Sequence, residues 1–330
     1  MKIVIDRDIP FCEGLFEPYA EVAALDGRSI SRRDVAGADV LVVRTRTRCD
    51  AALLAGSRVT TVVTATIGTD HIDTRWCAAN GIEVFNAAGC NARGVLQWVA
   101  AVLARVLTSW GRRPDEVTLG VVGVGHVGSL VDEYARLWGF RTVCCDPPRE
   151  EREHCGFLAA DEVFAEADIV TLHVPLDAST FHMVDRRLLG LLRDKLLINS
   201  SRGEVVDSEA LRASQARFAL DVWEHEPDLD RELLHRALFA TPHIAGYSLQ
   251  GKANASARVA EVLSERFGLP LGGWYPPGVT PTTPQQISWE QMCASMGRYF
   301  DIEAESARLK SHPDSFEALR NDYRYRQEFF

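Results

Sequence analysis

Arg202, Glu226 and His243 are the residues of this chain whose types and settings could do chemistry together. Each follows an apolar run, in Asn199-Ser200-Ser201-Arg202-Gly203, Asp221-Val222-Trp223-Glu224-His225-Glu226-Pro227 and Thr241-Pro242-His243-Ile244-Ala245-Gly246-Tyr247. In open α/β sheets, ligands bind outside the carboxyl ends of the strands. Oxidising a secondary alcohol needs a base for the hydroxyl proton, a cation for the neighbouring carboxylate and oxygen, and an acceptor for the hydride. An imidazole, with an ordinary pKa of about 6.5, suits the base, so His243 is expected there. Glu226 would orient it and stabilise the imidazolium. Arg202 offers a planar pair of donors that matches a carboxylate at two points, which a lysine would not.

The hydride acceptor is implied by Val117 to Asp146. An apolar run (Val117, Leu119, Val121, Val122) predicts a buried parallel strand, and Gly123-x-Gly125-x-x-Gly128 follows at once and opens an amphipathic helix. Gly123 permits the tight turn, Gly125 lets the backbone approach a pyrophosphate, and Gly128 lets helix and strand pack closely. The helix start, at His126 and Val127, then faces the phosphates with its unpaired N–H groups and positive dipole end. A second β run ends in Asp146, 18 residues after Gly128. A carboxylate there accepts hydrogen bonds from an adenosine ribose and repels a 2′-phosphate, so NAD is expected over NADP despite the nearby Arg149.

These motifs need a scaffold, and the pattern around them is α/β. Strands are expected at Lys2 to Ile5, Asp39 to Val43, Val59 to Thr64 and Ile82 to Phe85, with helices near 11–20, 51–57 and 70–80. A long apolar helix, about Gly94 to Trp110, leads into the nucleotide unit. Strands near 168–174, 195–199 and 217–222 then alternate with helices near 161–167, 185–192 and 208–214. One more helix is expected over Ser248 to Phe267. Gly268 to Gln286, with five prolines and four glycines, reads as an extended linker. The last 44 residues look helical and aromatic, too small a core to stand alone, so they should pack on the body or on a second subunit.

Composition narrows the function further. The 330 residues are 46% hydrophobic and 25% charged, as in an ordinary soluble chain, and no window reaches the ~18 apolar residues of a membrane span. The net charge of −10 disfavours a nucleic-acid partner. Eight cysteines show neither a CxxC pair nor Cys/His ligand spacing, so no metal is expected, and they read as reduced thiols of a cytoplasmic protein. Of the nine histidines, His71, His173 and His182 read as structural.

GxGxxG, the N-x-x-R-G and D-x-x-x-x-E-P segments and the late P-H-x-x-G together resemble the D-isomer-specific 2-hydroxyacid dehydrogenases, along the whole chain. Gly68-Thr69-Asp70-His71, Gly89-Cys90-Asn91-Ala92, Cys145-Asp146-Pro147-Pro148-Arg149 and His243-Ile244-Ala245-Gly246-Tyr247 separate it from the family's phosphoglycerate and lactate branches. The resemblance implies a Rossmann-type NAD domain (95–245), a flavodoxin-like discontinuous substrate domain (1–94 and 246–268), a linker (269–286) and a small C-terminal dimerisation segment (287–330) of a homodimer. It implies Arg202, Glu226 and His243 as catalytic residues, and Asp146, Asp221 and Gly246 at NAD, beside Val174 and Ser200. Thr45, Thr66 and Tyr247 would contact substrate. The substrate would be a small phosphorylated hydroxy acid. Another 2-hydroxy acid (glycerate, phosphoglycerate or the acid of a 2-oxoacid) stays open, as does an NAD-sensing binding protein. Ile67, Gln97 and Val174 depart from the family pattern.

Arg44, Arg46 and Arg48 alternate along an expected extended segment and should share one face. A phosphate cradle from Arg44 and Arg46 competes evenly with a solvated face, and strict alternation would turn them away from Thr45. Arg320, Arg324 and Arg326 are further phosphate candidates.

Overall fold

The computed structural model describes residues 1–330 and divides into two compact units, Met1–Asn91 with Leu249–Pro281, and Ala92–Ser248 with Thr282–Phe330. Each is built on a parallel sheet.

The first unit carries β1 (Lys2–Asp6), β2 (Glu21–Leu25), β3 (Val40–Val43), β4 (Thr61–Thr64) and β5 (Glu83–Asn86), in the order β2-β1-β3-β4-β5. Both faces are covered, so strands such as Val40-Leu41-Val42-Val43 are apolar throughout. Alternate residues go to opposite faces. Ile3, Ile5, Val40, Val42 and Val63 pack with Val259 and Leu263 of the helix Leu249–Phe267. Val4, Leu41, Val43 and Val62 pack with Leu54, Cys77 and Ile82 on the other side.

The helix expected near 11–20 is absent. Residues 10–20 are turns, with left-handed backbone at Phe11 (φ 63°) and Gly14 (φ 75°). Phe11, Leu15 and Tyr19 imitate a helical face, but Gly14 and Pro18 interrupt it. The helix near 51–57 is a single turn, Ala51–Leu54, capped by the Asp50 carboxylate. The one near 70–80 begins only at Thr74, where Asp73 caps it. The unexpected β2 is a half-exposed edge strand with no continuous apolar run to announce it.

The second unit carries β6 (Thr118–Val122), β7 (Arg141–Cys145), β8 (Ile169–Leu172), β9 (Leu196–Asn199), β10 (Arg217–Leu220) and β11 (Phe239–Ala240), in the order β11-β10-β9-β8-β6-β7. The winding reverses at β6, between β7 and β8, which makes its carboxyl end the place for a ligand. One face, from Leu119, Val121, Ile169 and Ile198, packs on the helix Ala92–Trp110. That helix is buried without a break from Gly94 to Ala104 because the C-terminal residues Met292, Met296, Phe300 and Phe330 enter the same core. Leu309 and Phe316 enter the core on the other face. Two short helices, Pro147–Glu153 and Arg231–Arg236, and the two-residue β11 also lie outside the expected pattern.

Candidate active site

The glycine loop after β6 has the geometry a dinucleotide requires. Gly123 has φ 85°, and a Cβ there would lie 2.6 Å from the His173 carbonyl oxygen and 2.8 Å from Val174 Cγ1. A Cβ on Gly128 would lie 1.9 Å from the Gly123 carbonyl oxygen, so helix and loop touch only because neither position has a side chain. At Gly125 a Cβ would meet nothing within 4 Å, which leaves open space where a pyrophosphate has to approach. Gly125 caps the helix His126–Leu137, whose first residues are His126 and Val127.

Asp146 ends β7 and is held twice. Its Oδ2 accepts from Val124 N–H at 2.7 Å, and its Oδ1 accepts from Arg149 N–H at 3.0 Å, capping the helix Pro147–Glu153. The Arg149 side chain is bound elsewhere: Nε and Nη2 donate to Glu153, and Nη1 donates to the Val124 carbonyl at 2.7 Å. At the end of β7 there is therefore a carboxylate, with the arginine beside it neutralised by Glu153. Those are the residues NAD would use, and NAD supplies the hydride acceptor when bound.

The Asn199 side chain builds the turn that presents Arg202. Its Oδ1 accepts from Ser201 N–H (3.0 Å) and Oγ (2.8 Å), and its Nδ2 donates to the Arg202 carbonyl at 2.8 Å. Gly203 is obligatory, because a Cβ would lie 2.0 Å from the carbonyl carbon of Trp223. This contact seats the Arg202 turn directly on the segment that leads to Glu226. The Ser200 hydroxyl is buried without a protein partner.

Glu226 and His243 meet. Glu226 Oε2 lies 2.8 Å from His243 Nδ1, and Oε1 accepts from Trp223 N–H at 2.9 Å. Burial pushes the Glu226 carboxyl up, but the charge and hydrogen bond of His243, the Arg320 charge and the Trp223 N–H outweigh it, and the net direction is down. With Nδ1–H given to the carboxylate, Nε2 keeps its lone pair for a proton. His243 has left-handed backbone, φ 57°, which a non-glycine residue keeps only where its surroundings enforce it. Those surroundings centre on Asp221. Its carbonyl accepts from His243 N–H at 2.7 Å, and its carboxylate accepts from Thr241 Oγ1 (2.5 Å), Ile244 N–H (2.8 Å) and Ala245 N–H (2.9 Å). Complete burial pushes the Asp221 carboxyl up despite these donors. Trp98 Nε1–H closes the set by donating to Thr241 Oγ1 at 2.9 Å.

The C-terminal segment supplies groups to this loop. Arg320 Nε donates to the Tyr247 phenol oxygen at 3.1 Å. Arg326, 6% exposed, donates to the carbonyls of Ile244 (3.0 Å), Gly94 (2.7 Å) and Ala245, so it is a buried clamp and no phosphate ligand. Gly246 and Tyr247 lie in the clamped stretch.

In the first unit, Thr66 Oγ1 lies 2.6 Å from Thr64 Oγ1, which lies 3.2 Å from His71 Nε2. His71 thus backs a hydroxyl pair, as His173 backs Thr171 (3.0 Å) and His182 pairs with Glu224 (2.8 Å) in the second unit. Asn86 Nδ2 holds the Ile67 carbonyl at 2.7 Å. Arg44, Thr45 and Arg46 lie past the end of β3 in a turn, so strand alternation does not govern them. Thr45 is exposed. Arg44 donates to both oxygens of the fully buried Asp6 (2.8 and 3.1 Å) and to Asp8 (2.8 Å), and Arg46 lies 3.8 Å from Asp8. Two carboxylates offset two guanidiniums, which weakens the cradle reading for Arg44. Gln97 is fully buried with both amide atoms unpartnered, and nothing in the structure explains it.

Residues 95–245 match the family described as D-isomer specific 2-hydroxyacid dehydrogenase, NAD binding domain. The chain is 42% identical to an erythronate-4-phosphate dehydrogenase of Bacteroides thetaiotaomicron, over 99% of this chain and 97% of that one. It is 39% identical to the enzyme of the same name from Pectobacterium carotovorum, over 100% of this chain and 92% of that one. Among solved structures it is similar to NAD+-bound 3-phosphoglycerate dehydrogenase of Entamoeba histolytica, with TM-score 0.66 and 25% identity over 82% of this chain and 96% of that one.

Proposed function

The chain belongs to the erythronate-4-phosphate dehydrogenases, of the D-isomer-specific 2-hydroxyacid dehydrogenase family, and on that premise we propose the residues that carry its reaction. The reaction is NAD-dependent oxidation of 4-phospho-D-erythronate to 2-oxo-3-hydroxy-4-phosphobutanoate, a step toward pyridoxal phosphate. The observation that carries the assignment of roles is the 2.8 Å contact between Glu226 and His243 at the strand ends of the nucleotide-binding sheet.

Arg202 binds the substrate carboxylate and the oxygen at C2, fixing the C2 hydrogen for departure as hydride. His243 Nε2 takes the hydroxyl proton. Glu226 keeps Nδ1 protonated and offsets the imidazolium charge. Asp146 binds the adenosine ribose, the Gly123–Gly128 loop with His126, Val127 and Val174 borders the phosphates, and Ser200, Asp221 and Gly246 border the nicotinamide end. Thr45, Thr66 and Tyr247 contact substrate, with Arg44 and Arg46 near the phosphate. The enzyme acts in the cytoplasm as a homodimer, as the family resemblance implies. No helix is long and apolar enough to cross a membrane.

The test is NADH absorbance on mixing purified protein with NAD and 4-phospho-D-erythronate, with a 2-oxoacid in parallel to recycle retained cofactor. Turnover with the phosphorylated acid, and none with erythronate or glycerate, is expected, because a site built for phosphate leaves its cations unpaired with the unphosphorylated acid. Loss of His243 should cost about 10²–10⁴ in rate. A His243→Ala enzyme with undiminished turnover would overturn the roles.

A further inference from the structure

Arg320 sits on the short helix Phe316–Asn321, in the C-terminal segment and 73 residues from Tyr247. Its Nε–H donates to the Tyr247 phenol oxygen at 3.1 Å, and its guanidinium carbon lies 6.0 Å from the centre of that ring. Its Nη1 lies 3.8 Å from Glu226 Oε2, the oxygen that His243 Nδ1 contacts at 2.8 Å. The side chains of Arg320 and Glu226 are 25% and 19% exposed, so solvent screens this contact far less than it would a surface pair.

We propose that Arg320 is a positioning residue for the reaction: it aims the Tyr247 phenol and shares the Glu226 carboxylate with His243. The inference rests on the function given above, and it deepens that reading by adding a second control on the Glu226–His243 pair.

The geometry separates the two tasks. At 3.8 Å, Nη1 is beyond hydrogen-bond distance, so His243 keeps the hydrogen bond to Oε2 while Arg320 contributes charge. A phenol that accepts from Nε–H must point its own proton away from Arg320, which turns Tyr247 into a directed donor. The arginine is itself held in place. Tyr323 and Tyr325, a few residues on, flank the Tyr247 ring at 6.3 and 6.1 Å, and Arg326 clamps the Ile244 and Ala245 carbonyls. The segment bearing Arg320 is thus fastened to the loop bearing His243 and Tyr247.

Charge sets the expected direction. The groups facing the pair are Asp221 beneath it, Arg320 and Tyr247 beside it, and Tyr323 with Arg326 and Glu305 behind. A cation beside Glu226 spends part of the carboxylate's field and disfavours a second positive charge next to it. Arg320 therefore biases the pair toward the neutral imidazole that accepts a proton from an alcohol.

The experiment compares full-length wild type, Arg320→Met and Arg320→Lys for kcat, KM and the pH profile of kcat/KM, with circular dichroism as the folding control. For Arg320→Met, the acidic limb is expected to move toward alkaline pH by about half a pH unit or more. KM for the hydroxy acid should rise about tenfold, because Tyr247 loses its charged partner. Arg320→Lys should restore the limb, which reads charge, and leave KM high, which reads the directed Nε–H. An unmoved limb in a folded Arg320→Met enzyme overturns the inference, since a purely structural role predicts that result. If Arg320→Met does not fold, Arg320→Lys decides: raised KM with a wild-type limb supports the inference, and wild-type KM overturns it. Should wild type itself fail to oxidise the phosphorylated acid, the function is what falls. An NMR titration of the histidine ring protons in the NAD-loaded protein then tests Arg320 without substrate, the same alkaline move in Arg320→Met supporting it and no move overturning it.

Discussion

Glu226 Oε2 lies 2.8 Å from Nδ1 of His243, across 17 residues of sequence, while Oε1 accepts from Trp223 N–H at 2.9 Å. A glutamine offers one acceptor and one donor where two acceptors are needed. Glu226→Gln can therefore satisfy Trp223 and His243 together only by flipping the imidazole tautomer, which puts the proton on Nε2 and removes the base. We expect kcat/KM to fall by about 10²–10³. Its acidic limb should move to lower pH, opposite to the move expected for Arg320→Met, because the charge that favours imidazolium is gone. Steady-state kinetics with NAD binding as control would check this, and an alkaline move would contradict the role given to Glu226.

The same carboxylate makes stability depend on pH. Its folded state is held below the usual glutamate value of about 4.3, so its contribution is complete above that value and fades as pH falls through the lower folded one. Asp221 works the other way, since burial raises its folded value and its stabilising contribution fades as pH rises through it. The urea midpoints of wild type and Glu226→Gln should thus differ by a constant amount above about pH 5, and the difference should narrow as pH falls below about 4. An undiminished difference at about pH 3 would show that the Glu226 charge does not stabilise the fold.

Much of this site is legible in the sequence because it lies at strand ends. β3 and β4 announce themselves as runs buried on both faces of their sheet, Gly203 and Gly128 stand where backbone leaves no room for a Cβ, and Asn199 ties its turn with side-chain hydrogen bonds. The edge strand β2 and the helix Pro147–Glu153 are not legible, because neither buries a continuous apolar face. Residues 11–20 mislead because aromatic spacing imitates a helix that Gly14 and Pro18 interrupt. Arg320 and Arg326 stand among phosphate candidates in the sequence, and only tertiary placement separates a partner of Tyr247 from a clamp on Ala245.

Asp146 is the proposed ribose ligand, and Glu153 occupies Arg149, which could otherwise receive a 2′-phosphate. Asp146→Ser alone should weaken NAD by about tenfold, the scale of a lost hydrogen-bond pair to the ribose. It should gain little for NADP, because Arg149 stays bound to Glu153. Adding Glu153→Ala frees Nε and Nη2 while Nη1 keeps the Val124 carbonyl, and NADP affinity should then rise. Fluorescence titration of both cofactors would check this, and a double variant with unchanged NADP affinity would show that Glu153 does not restrain the choice.

Arg326 should matter for stability and for the order of the His243 loop. Its guanidinium donates to the carbonyls of Gly94, Ile244, Ala245 and, at 3.3 Å, Tyr247, all inside the second unit, and lies 4.6 Å from the centre of the Phe300 ring. Arg326→Met keeps much of the apolar stem and removes every donor. The Ile244 carbonyl keeps Tyr247 N–H at 2.8 Å, but the Ala245 carbonyl loses its donor, and a buried group left unpaired costs about 1–3 kcal/mol. That corresponds to a Tm lower by roughly 2–12 °C for a domain of this size. Amide exchange should also quicken over residues 244–248, because the stretch that follows His243 loses its fastening. If Tm falls while exchange there is unchanged, Arg326 serves the core alone. An unchanged Tm would show that the guanidinium is replaced at no cost and that Arg326 is no clamp.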